Sequence, residues 1–391
     1  MTTFGIVLFA VIILVSVCLH EAGHMLTAKR FGMKVTRYFA GFGPTLWSFK
    51  KGETEYGVKA IPLGGFVKIV GMTPQDDDVA PEDEPRAMWR FPVWKRTVVM
   101  AAGSVTHFII GFILLWIIAS FLGLPNAQAQ KYGENVNAAP AYVTVGPCVV
   151  LASPGTADCG PNDPASPARV AGLQDGDRIT AVDGVPTDNF GQVVDKIRNA
   201  TSADNTITYV RGTAAPVTVP VKLQAVQRPP QDQPDGAPVP TYALGIQWSL
   251  PPGVSPTITS GPIRGVGAAA SYMGTSFSQI GGALTALPGK IPGLWDALNG
   301  KPRDPTGPIS VVGASEIGGQ TAALQAWNLF LLIAAELNFF VGVFNLLPLL
   351  PLDGGHIAIA WYERVRSWWA SKRRKPDPGR VDYYKLMPLT Y

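Results

Sequence analysis

Residues 4–28 read FGIVLFAVIILVSVCLHEAGHMLTA, an apolar run that ends in two histidines and a glutamate. About 20 helical residues cross a hydrocarbon core of about 30 Å, so this run is long enough to span a membrane. The first 19 residues carry no charge, whereas a secretory signal begins with basic residues and ends in small ones. The pattern therefore predicts a retained membrane-spanning helix and not a cleaved signal peptide.

Two further apolar runs predict membrane-spanning helices near 97–123 and 325–347. Basic residues indicate the side of each connection, because cytoplasmic loops collect Lys and Arg. Residues 25–96 carry 12 of the 32 basic residues, residues 124–321 carry 12, and residues 362–391 carry 8. This bias predicts that the first and last segments are cytoplasmic and that the N-terminus and the middle segment are outside. The net charge of +4 follows from the same bias and gives no argument for nucleic-acid binding.

The stretch at 41–71 has a pattern of β structure. Glu55 to Ile61 alternates like a strand between turn signals at 41–44 and 62–65. We expect a small sheet of hairpins at the cytoplasmic membrane surface.

The outside segment has its own β pattern. Short strands are predicted at 142–145, within 171–184 and at 217–223, with helical spacing at 190–198. Residues 228–240 are too rich in proline and polar residues to pack, so they predict a linker. Residues 263–299 are weakly amphipathic and fit a helix on the outer membrane face, a cavity lining or a loop.

Cys148 and Cys159 fall in the segment assigned to the outside, where disulfides persist. Closing this short loop would stabilise the fold by about 3 kcal/mol in the chain-entropy model. The sequence predicts a disulfide here, with two free thiols as the alternative.

The motif His20–Glu21–Ala22–Gly23–His24 carries the chemistry. Residues four apart share one face of a helix, so His20 and His24 can bind one metal ion. Glu21 can reach a water molecule on that metal. Charged and imidazole side chains at membrane depth are costly and therefore functional by default, although a polar cluster that only packs helices is the alternative.

A catalytic zinc usually takes three protein ligands, and Asp353 is the predicted third. It follows Pro348 and Pro351, which cannot continue a helix, and precedes two glycines. Irregular backbone at membrane depth must line a cavity or be buried in protein, which gives Asp353 a polar pocket. The alternatives are a cytoplasmic loop carboxylate and competition from His356.

HEAGH in the first helix and NLLPLLPLDGG at 345–355 together resemble the site-2 protease family of intramembrane zinc metalloproteases, in particular the actinobacterial branch that processes anti-sigma factors. GFGP at 41–44 and PLGGF at 62–66 also resemble that family, and residues 140–226 are similar to a PDZ domain. The resemblance implies one Zn²⁺ per chain, bound by His20, His24 and Asp353, with Glu21 as general base.

The resemblance further implies a substrate site and partners. Asn345 would bind the substrate backbone, and the sheet would hold the unwound substrate as an added strand. The partners implied are single-pass membrane proteins of the anti-sigma-factor type, the lipid bilayer and an upstream site-1-type protease. The substrate-binding residues implied in the sheet are Gly41, Phe42, Gly43, Pro62, Leu63, Gly64, Gly65 and Phe66.

The expected fold is a polytopic α-helical protein of the bacterial plasma membrane, with a small membrane-associated β-sheet and an inserted extracytoplasmic PDZ-like domain. Its expected parts are a first transmembrane helix (1–30), a hairpin region with an acidic loop (31–96), a second transmembrane helix (97–123), the PDZ-like domain (140–226), a linker with an outer amphipathic region (227–320), a transmembrane helix with NLLPLLPLDGG (321–360) and a basic cytoplasmic tail (361–391).

Three features depart from the family pattern. Gly103–Ser104–Val105–Thr106–His107 stands where the family commonly has Gly-Pro-x-x-Asn, so His107 either fills the polar role of that Asn or adds a titratable group beside the site. Glu336 stands where a smaller or neutral residue is usual, and it is expected to be protonated or to face a water-filled cavity. The family pattern also implies a further transmembrane helix where this chain stops at Tyr391, so either the chain is truncated or its bundle is short by one helix.

Two other functions compete with proteolysis. A non-catalytic membrane scaffold would use only the PDZ-like domain, but the intact Glu21 argues against it. A metal transporter would need a second polar helix pair or an internal repeat, and the sequence has neither.

Overall fold

The computed structural model describes residues 2–72, 79–151, 159–230, 236–298 and 311–381. The chain forms two compact units, which we call the membrane unit (1–124 with 259–391) and the inserted unit (125–258). In chain order the elements are α1 (Thr2–Arg30), β1 (Val35–Lys51), β2 (Thr54–Ile69), α2 (Val93–Ile117, continued by a π turn over Ile118–Leu122), β3 (Leu124–Pro125), α3 (Ala127–Glu134), β4 (Val143–Val145), α4 (Pro167–Val170), β5 (Arg178–Val182), β6 (Val185–Pro186), α5 (Phe190–Arg198), β7 (Asp204–Val210), β8 (Val217–Lys222), β9 (Gln224–Arg228), β10 (Val239–Ala243), β11 (Ile246–Trp248), β12 (Thr257–Ile258), α6 (Gly261–Leu298), α7 (Val311–Ala323), α8 (Trp327–Asn345) and α9 (Asp353–Lys372).

Among the described residues, three helices are long and apolar enough to cross a membrane, namely α1, α2 with its π turn, and α8. These are the three helices predicted from the sequence, so the polytopic α-helical part of the expected fold is confirmed. Phe9 of α1 is fully buried against Phe330 of α8, with the two ring centroids 5.5 Å apart in an edge-to-face arrangement. Packing of this kind fixes α1 in the bundle.

Strands β1 and β2 form one long antiparallel hairpin that folds back on itself. Tyr38 of β1 pairs with Val67 on one side and with Tyr56 on the other, so one hairpin makes a sheet of four short segments. The reversal uses Gly41 and Gly43, whose φ angles of 89° and 81° favour glycine. The expected sheet of hairpins is present. The acidic part of the following loop, 76–78, lies outside the described residues.

The sheet is tied to α1 and to the segment before α2. The Tyr38 hydroxyl donates to the carbonyl oxygen of Cys18 at 2.7 Å. At the far turn, the Arg86 guanidinium donates two hydrogen bonds of 2.6 and 2.7 Å to the Glu53 carboxylate, which lower the pKa of Glu53. These contacts fix the sheet relative to the HEAGH helix.

The segments around α8 differ in part from expectation. Residues 263–299, for which three readings were open, lie almost entirely in the single helix α6, and Val311–Ala323 form a separate helix α7. The segment 361–391, expected as a basic tail, begins within α9, which continues to Lys372. Its first part contains aromatic pairs at 361–362 and 368–369 among the basic residues, and this composition fits a helix as well as a solvated tail.

The inserted unit has a core of its own. Strands β6, β5, β7 and β8 form an antiparallel sheet in that order, and β4 pairs with β11. Ile179, Val193 and Ile207 are among its fully or almost fully buried side chains. The strands predicted at 142–145, 171–184 and 217–223 and the helix at 190–198 are confirmed as β4, β5, β8 and α5.

The end of this unit differs from the expected linker. Val239 to Ala243 pair with Arg228 to Gln224 in an antiparallel ladder, and the compact unit continues to residue 258. Residues 231–235 lie outside the described residues. Local composition predicted no packing here, but a partner strand satisfies the backbone groups of this segment.

The sulfur atoms of Cys148 and Cys159 are 2.01 Å apart, which is a bonded distance. The structure therefore contains the disulfide that the sequence suggested in preference to two free thiols.

Candidate metal centre

The three side chains predicted as metal ligands meet at one point. His20 and His24 lie one turn apart on α1, and Asp353 begins α9. The Nε2 atoms of the two histidines are 3.1 Å apart, and Asp353 Oδ2 lies 3.3 Å from the first and 3.4 Å from the second. Within the described residues, this is the cluster of His, Cys, Asp and Glu that could hold a metal ion.

The donor set fits a tetrahedral zinc ion. Zinc bonds to nitrogen and oxygen of about 2.0–2.1 Å place tetrahedral ligands about 3.3–3.4 Å apart, close to the observed separations. His24 Nδ1 donates to the carbonyl oxygen of Val99 at 2.7 Å, so its Nε2 carries a lone pair that faces the space between the two histidines and Asp353. Asp353 Oδ2 is buried and accepts no hydrogen bond from the described residues. A cation bound between the two Nε2 atoms and Oδ2 would compensate the negative charge of Asp353 and give Oδ2 a partner.

Gly103 of α2 leaves space for such an ion. A Cβ atom at this position would lie 2.5 Å from His24 Nε2 and 2.6 Å from His20 Nε2. The absence of a side chain therefore keeps the space beside the ligand nitrogens open. Sequence reasoning compared residues 103–107 with a family segment but assigned a possible role there only to His107 and none to Gly103.

The Glu21 carboxylate is held beside the metal cluster by the sheet. The backbone N–H of Val67 in β2 donates to Glu21 Oε2 at 2.9 Å. A Cβ atom on Gly65 would lie 3.6 Å from Glu21 Cγ, so the PLGGF segment runs directly past this side chain. One oxygen of Glu21, Oε2, is thus engaged by β2.

The other predicted substrate-binding residues of the sheet surround this segment. Phe66 stacks on Phe39 with ring centroids 5.6 Å apart and on Phe42 at 6.2 Å. Gly41 and Gly43 form the bend of the hairpin, and Gly64 contacts Phe42. Leu63 is 80% exposed. Pro62 precedes Leu63 in β2, and the eight predicted sheet residues lie in the two strands of one hairpin.

Asn345 is the last residue of α8, and the chain then turns tightly into α9. The backbone of Gly354 packs so closely on Leu346 that a Cβ atom would lie 2.2 Å from the Leu346 carbonyl oxygen. The residues that adjoin Asn345 and Asp353 are therefore in contact. The predicted helix break at the prolines is present, and it brings the end of α8 to the ligand helix.

His107 lies beside the cluster and is not one of its three members. Its ring centroid is 5.0 Å from that of His20. Asn338 donates from Nδ2 to the Ala334 carbonyl at 2.8 Å, so its Oδ1 accepts the hydrogen bond from His107 Nδ1, also 2.8 Å long. Asn338 was missed by sequence reasoning, although a buried amide in an apolar helix is a recognisable signal.

The two remaining polar candidates lie outside the cluster. Glu336 accepts a hydrogen bond of 2.6 Å from the Ser276 hydroxyl on α6. His356 follows Asp353 by three residues on α9 and is not a member of the metal cluster found among the described residues.

Comparison with known proteins agrees with this geometry. The chain is 43% identical to the zinc metalloprotease Rip1 of Mycolicibacterium smegmatis over 394 aligned positions, which cover 99% of this chain and 92% of the relative. It is 40% identical to the zinc metalloprotease Rip1 of Mycobacterium tuberculosis over 392 positions, with the same coverage. A putative zinc metalloprotease of Synechocystis is 28% identical over 359 positions, which cover 90% of this chain and 83% of the relative.

The model of peptidase family M50 matches residues 8–377. This match and the Rip1 relatives confirm the resemblance to site-2 proteases and establish zinc as the cofactor. With three helices suited to crossing a membrane, the protein is a multi-pass membrane zinc metalloprotease. The chain belongs to peptidase family M50.

Proposed function

We propose that this metalloprotease hydrolyses a peptide bond within the transmembrane segment of single-pass membrane proteins of the anti-sigma-factor type, after another protease has trimmed their ectodomains. The observation that carries the proposal is the position of the metal cluster. Its histidines lie 20 and 24 residues along the chain, inside a helix suited to crossing the membrane. A substrate reaches this depth by entering from the bilayer.

In this proposal His20, His24 and Asp353 hold the zinc ion. Zinc, when bound, polarises the scissile carbonyl and makes a water molecule acidic enough to lose a proton near neutral pH. Glu21 would take a proton from the attacking water as general base while the water oxygen bonds to the scissile carbonyl carbon. It would then deliver that proton to the leaving amine as the peptide C–N bond breaks. The hydrogen bond from Val67 to Oε2 keeps the carboxylate in place for both steps.

The sheet residues hold the substrate. A helix has no free backbone groups, so a transmembrane substrate must unwind before it is cut, and a sheet edge offers its backbone new partners. The Pro62–Phe66 segment passes Glu21, which favours this edge as the one that receives the substrate. Asn345, at the end of α8, would bind the substrate backbone near the scissile bond.

The inserted unit would act outside the cell. We assign a PDZ-like role to residues 140–226 and place the N-terminus outside, following the distribution of basic residues. Its proposed role is to exclude intact ectodomains until an upstream protease has shortened them. This role depends on size and does not require a peptide ligand.

Glu21→Gln tests the chemistry. The purified variant should keep zinc and lose cleavage of a model transmembrane substrate by about 10²–10⁴-fold, which is the usual contribution of a general acid–base group. Glu336→Gln is the matched control, because it makes the same change at another glutamate of an apolar helix and should retain cleavage. Undiminished cleavage by Glu21→Gln would contradict the mechanism. If the variant lost both zinc and cleavage, the loss of cleavage would no longer support a general-base role for Glu21.

Substrate length tests the trimming step. Two versions of one substrate, with a short and with a folded ectodomain, are reconstituted with the full-length protease in vesicles. The short version should be cut faster. Equal rates would refute size exclusion while leaving the chemistry of the site intact.

A further inference from the structure

The second half of α9 presents an apolar face that no described residue covers. Its five large side chains are each between 48% and 59% exposed. The other four follow the first of them by one, four, seven and eight residues, and this spacing places all five along one side of a helix. We call this face the aromatic stripe; it consists of Trp361, Tyr362, Val365, Trp368 and Trp369.

The opposite face of α9 packs on the membrane unit and fixes the direction of the stripe. Glu363 forms an ion pair with Arg96 of α2, with 3.5 Å between the charged atoms, and both side chains are largely buried. Ala360 is also buried. At the start of the stripe, Trp361 Nε1 donates to Thr97 Oγ1 of α2 at 3.0 Å. Because these contacts hold the opposite face of α9 against α2, α9 cannot rotate to bury the stripe.

Basic residues border the stripe. Lys372 Nζ lies 4.2 Å from the ring centroid of Trp368, and the Arg373 guanidinium carbon lies 4.4 Å from that of Trp369. Residues 361–381 contain seven basic and two acidic side chains, a net charge of +5. An apolar stripe with basic borders is the pattern of a helix that lies in a membrane interface, where Lys and Arg reach anionic headgroups.

The position of α9 matches that interface. His20 lies 16 residues beyond Phe4, or about 24 Å along α1, which in a core of about 30 Å leaves about 6 Å of hydrocarbon on the far side. Trp361 contacts Thr97 and Glu363 contacts Arg96, so the stripe starts level with the first turns of α2, where Lys95 and Arg96 precede the apolar run. This is the end of a membrane-spanning helix, where Trp and Tyr concentrate in membrane proteins.

We propose that the aromatic stripe lies in the headgroup layer of the membrane face at which α9 emerges, and that its basic border binds anionic phospholipid headgroups. The net charge favours this occupant over a second copy of the same stripe, because two such faces would repel each other. Because Asp353 is the first residue of α9, the lipid surface then holds the helix that carries a metal-binding carboxylate. This position of α9 depends on α1, α2 and α8 crossing the membrane and not on the proposed substrate.

Site-specific spin labels measure the depth of the stripe. The full chain carries Cys18→Ser, so that a single new cysteine reacts, and is reconstituted in vesicles of phosphatidylcholine with phosphatidylglycerol. A label at Trp369→Cys should be accessible to oxygen and shielded from a water-soluble nickel chelate. A label at the exposed Ser371→Cys, off the stripe, is the control and should be accessible to the chelate. Equal chelate access at both positions overturns the proposal, and shielding of residue 369 from both reagents overturns it in favour of a protein contact.

A second measurement tests the charged border. The label at residue 369 is compared in vesicles of phosphatidylcholine alone and in vesicles that also contain phosphatidylglycerol. Shielding from the chelate should increase with the anionic lipid, and Lys372→Gln with Arg373→Gln should remove the increase. Lys222→Gln in the inserted unit is the control and should leave the increase unchanged. No dependence on anionic lipid, or a dependence that survives the double variant, overturns headgroup binding.

Discussion

Gly103 is the α2 residue that touches both ligand histidines. Replacing it with Ala would improve helix propensity by about 1 kcal/mol but would place a methyl group 2.5–2.6 Å from the two Nε2 atoms. We expect Gly103→Ala to lose zinc and proteolysis together, as measured by metal analysis of the purified protein. Gly111→Ala is the control: its Cβ would meet the Phe339 ring at 2.5 Å, so it should cost stability and keep zinc. Full zinc occupancy in Gly103→Ala would contradict this role.

The sequence allowed us to predict the site residues that have polar or charged side chains. It did not allow us to predict the contributions of a glycine or of the backbone. His20, Glu21, His24 and Asp353 stand out because polar groups are costly in apolar segments. Gly103 acts by having no side chain, and the comparison of residues 103–107 with the family segment gave no sign that this glycine lies against the two histidines. The backbone N–H of Val67 is likewise invisible in a sequence, since every residue except proline has one.

The hairpin of β1 and β2 gives a prediction at the scale of an element. Gly41 adopts a φ of 89°, and a Cβ atom there would lie 2.8 Å from the Ile61 carbonyl oxygen. Gly41→Ala should therefore distort the bend and reduce cleavage, while zinc content stays normal because the ligands belong to α1 and α9. The left-handed backbone alone costs about 1–2 kcal/mol.

Gly52 provides the matched control for the hairpin. It also has a positive φ, 64°, but a Cβ atom there meets nothing within 4 Å. Gly52→Ala carries a similar backbone cost without the collision and should cleave substrate faster than Gly41→Ala. Equal activities of the two variants would show that the bend does not matter to the reaction.

Among the elements, hydropathy located α1, α2 and α8 because length and composition suffice for a helix in a membrane. The pairing of β10 with β9 was not predictable from composition. The stability of a strand depends on its partner strand more than on its own residues. Here β10, the partner of β9, lies at the end of a proline-rich stretch.

At the scale of the molecule, the proposed metal site joins two helices that are far apart in the sequence, α1 and α9. Removing zinc with a chelator should lower the Tm of the membrane unit, because an ion present at 1,000 times its Kd stabilises the folded state by about 4 kcal/mol. The inserted unit has its own core and its own disulfide, so its unfolding should not change. Calorimetry of the full chain, with Asp353→Ala as a variant that should not respond to the chelator, measures both. A chelator effect on Asp353→Ala would place the metal elsewhere.

The separation of the ligands also has a consequence for biosynthesis. Asp353 follows His24 by 329 residues, and at about 5–20 residues per second a ribosome needs roughly 15–65 s to make that length. During this interval the nascent chain already contains His20, His24 and the proposed base Glu21 but lacks Asp353, the carboxylate that completes the cluster. The metal cluster can therefore form only after Asp353 has been translated and α9 has folded. Before that point the nascent chain cannot cleave neighbouring membrane proteins.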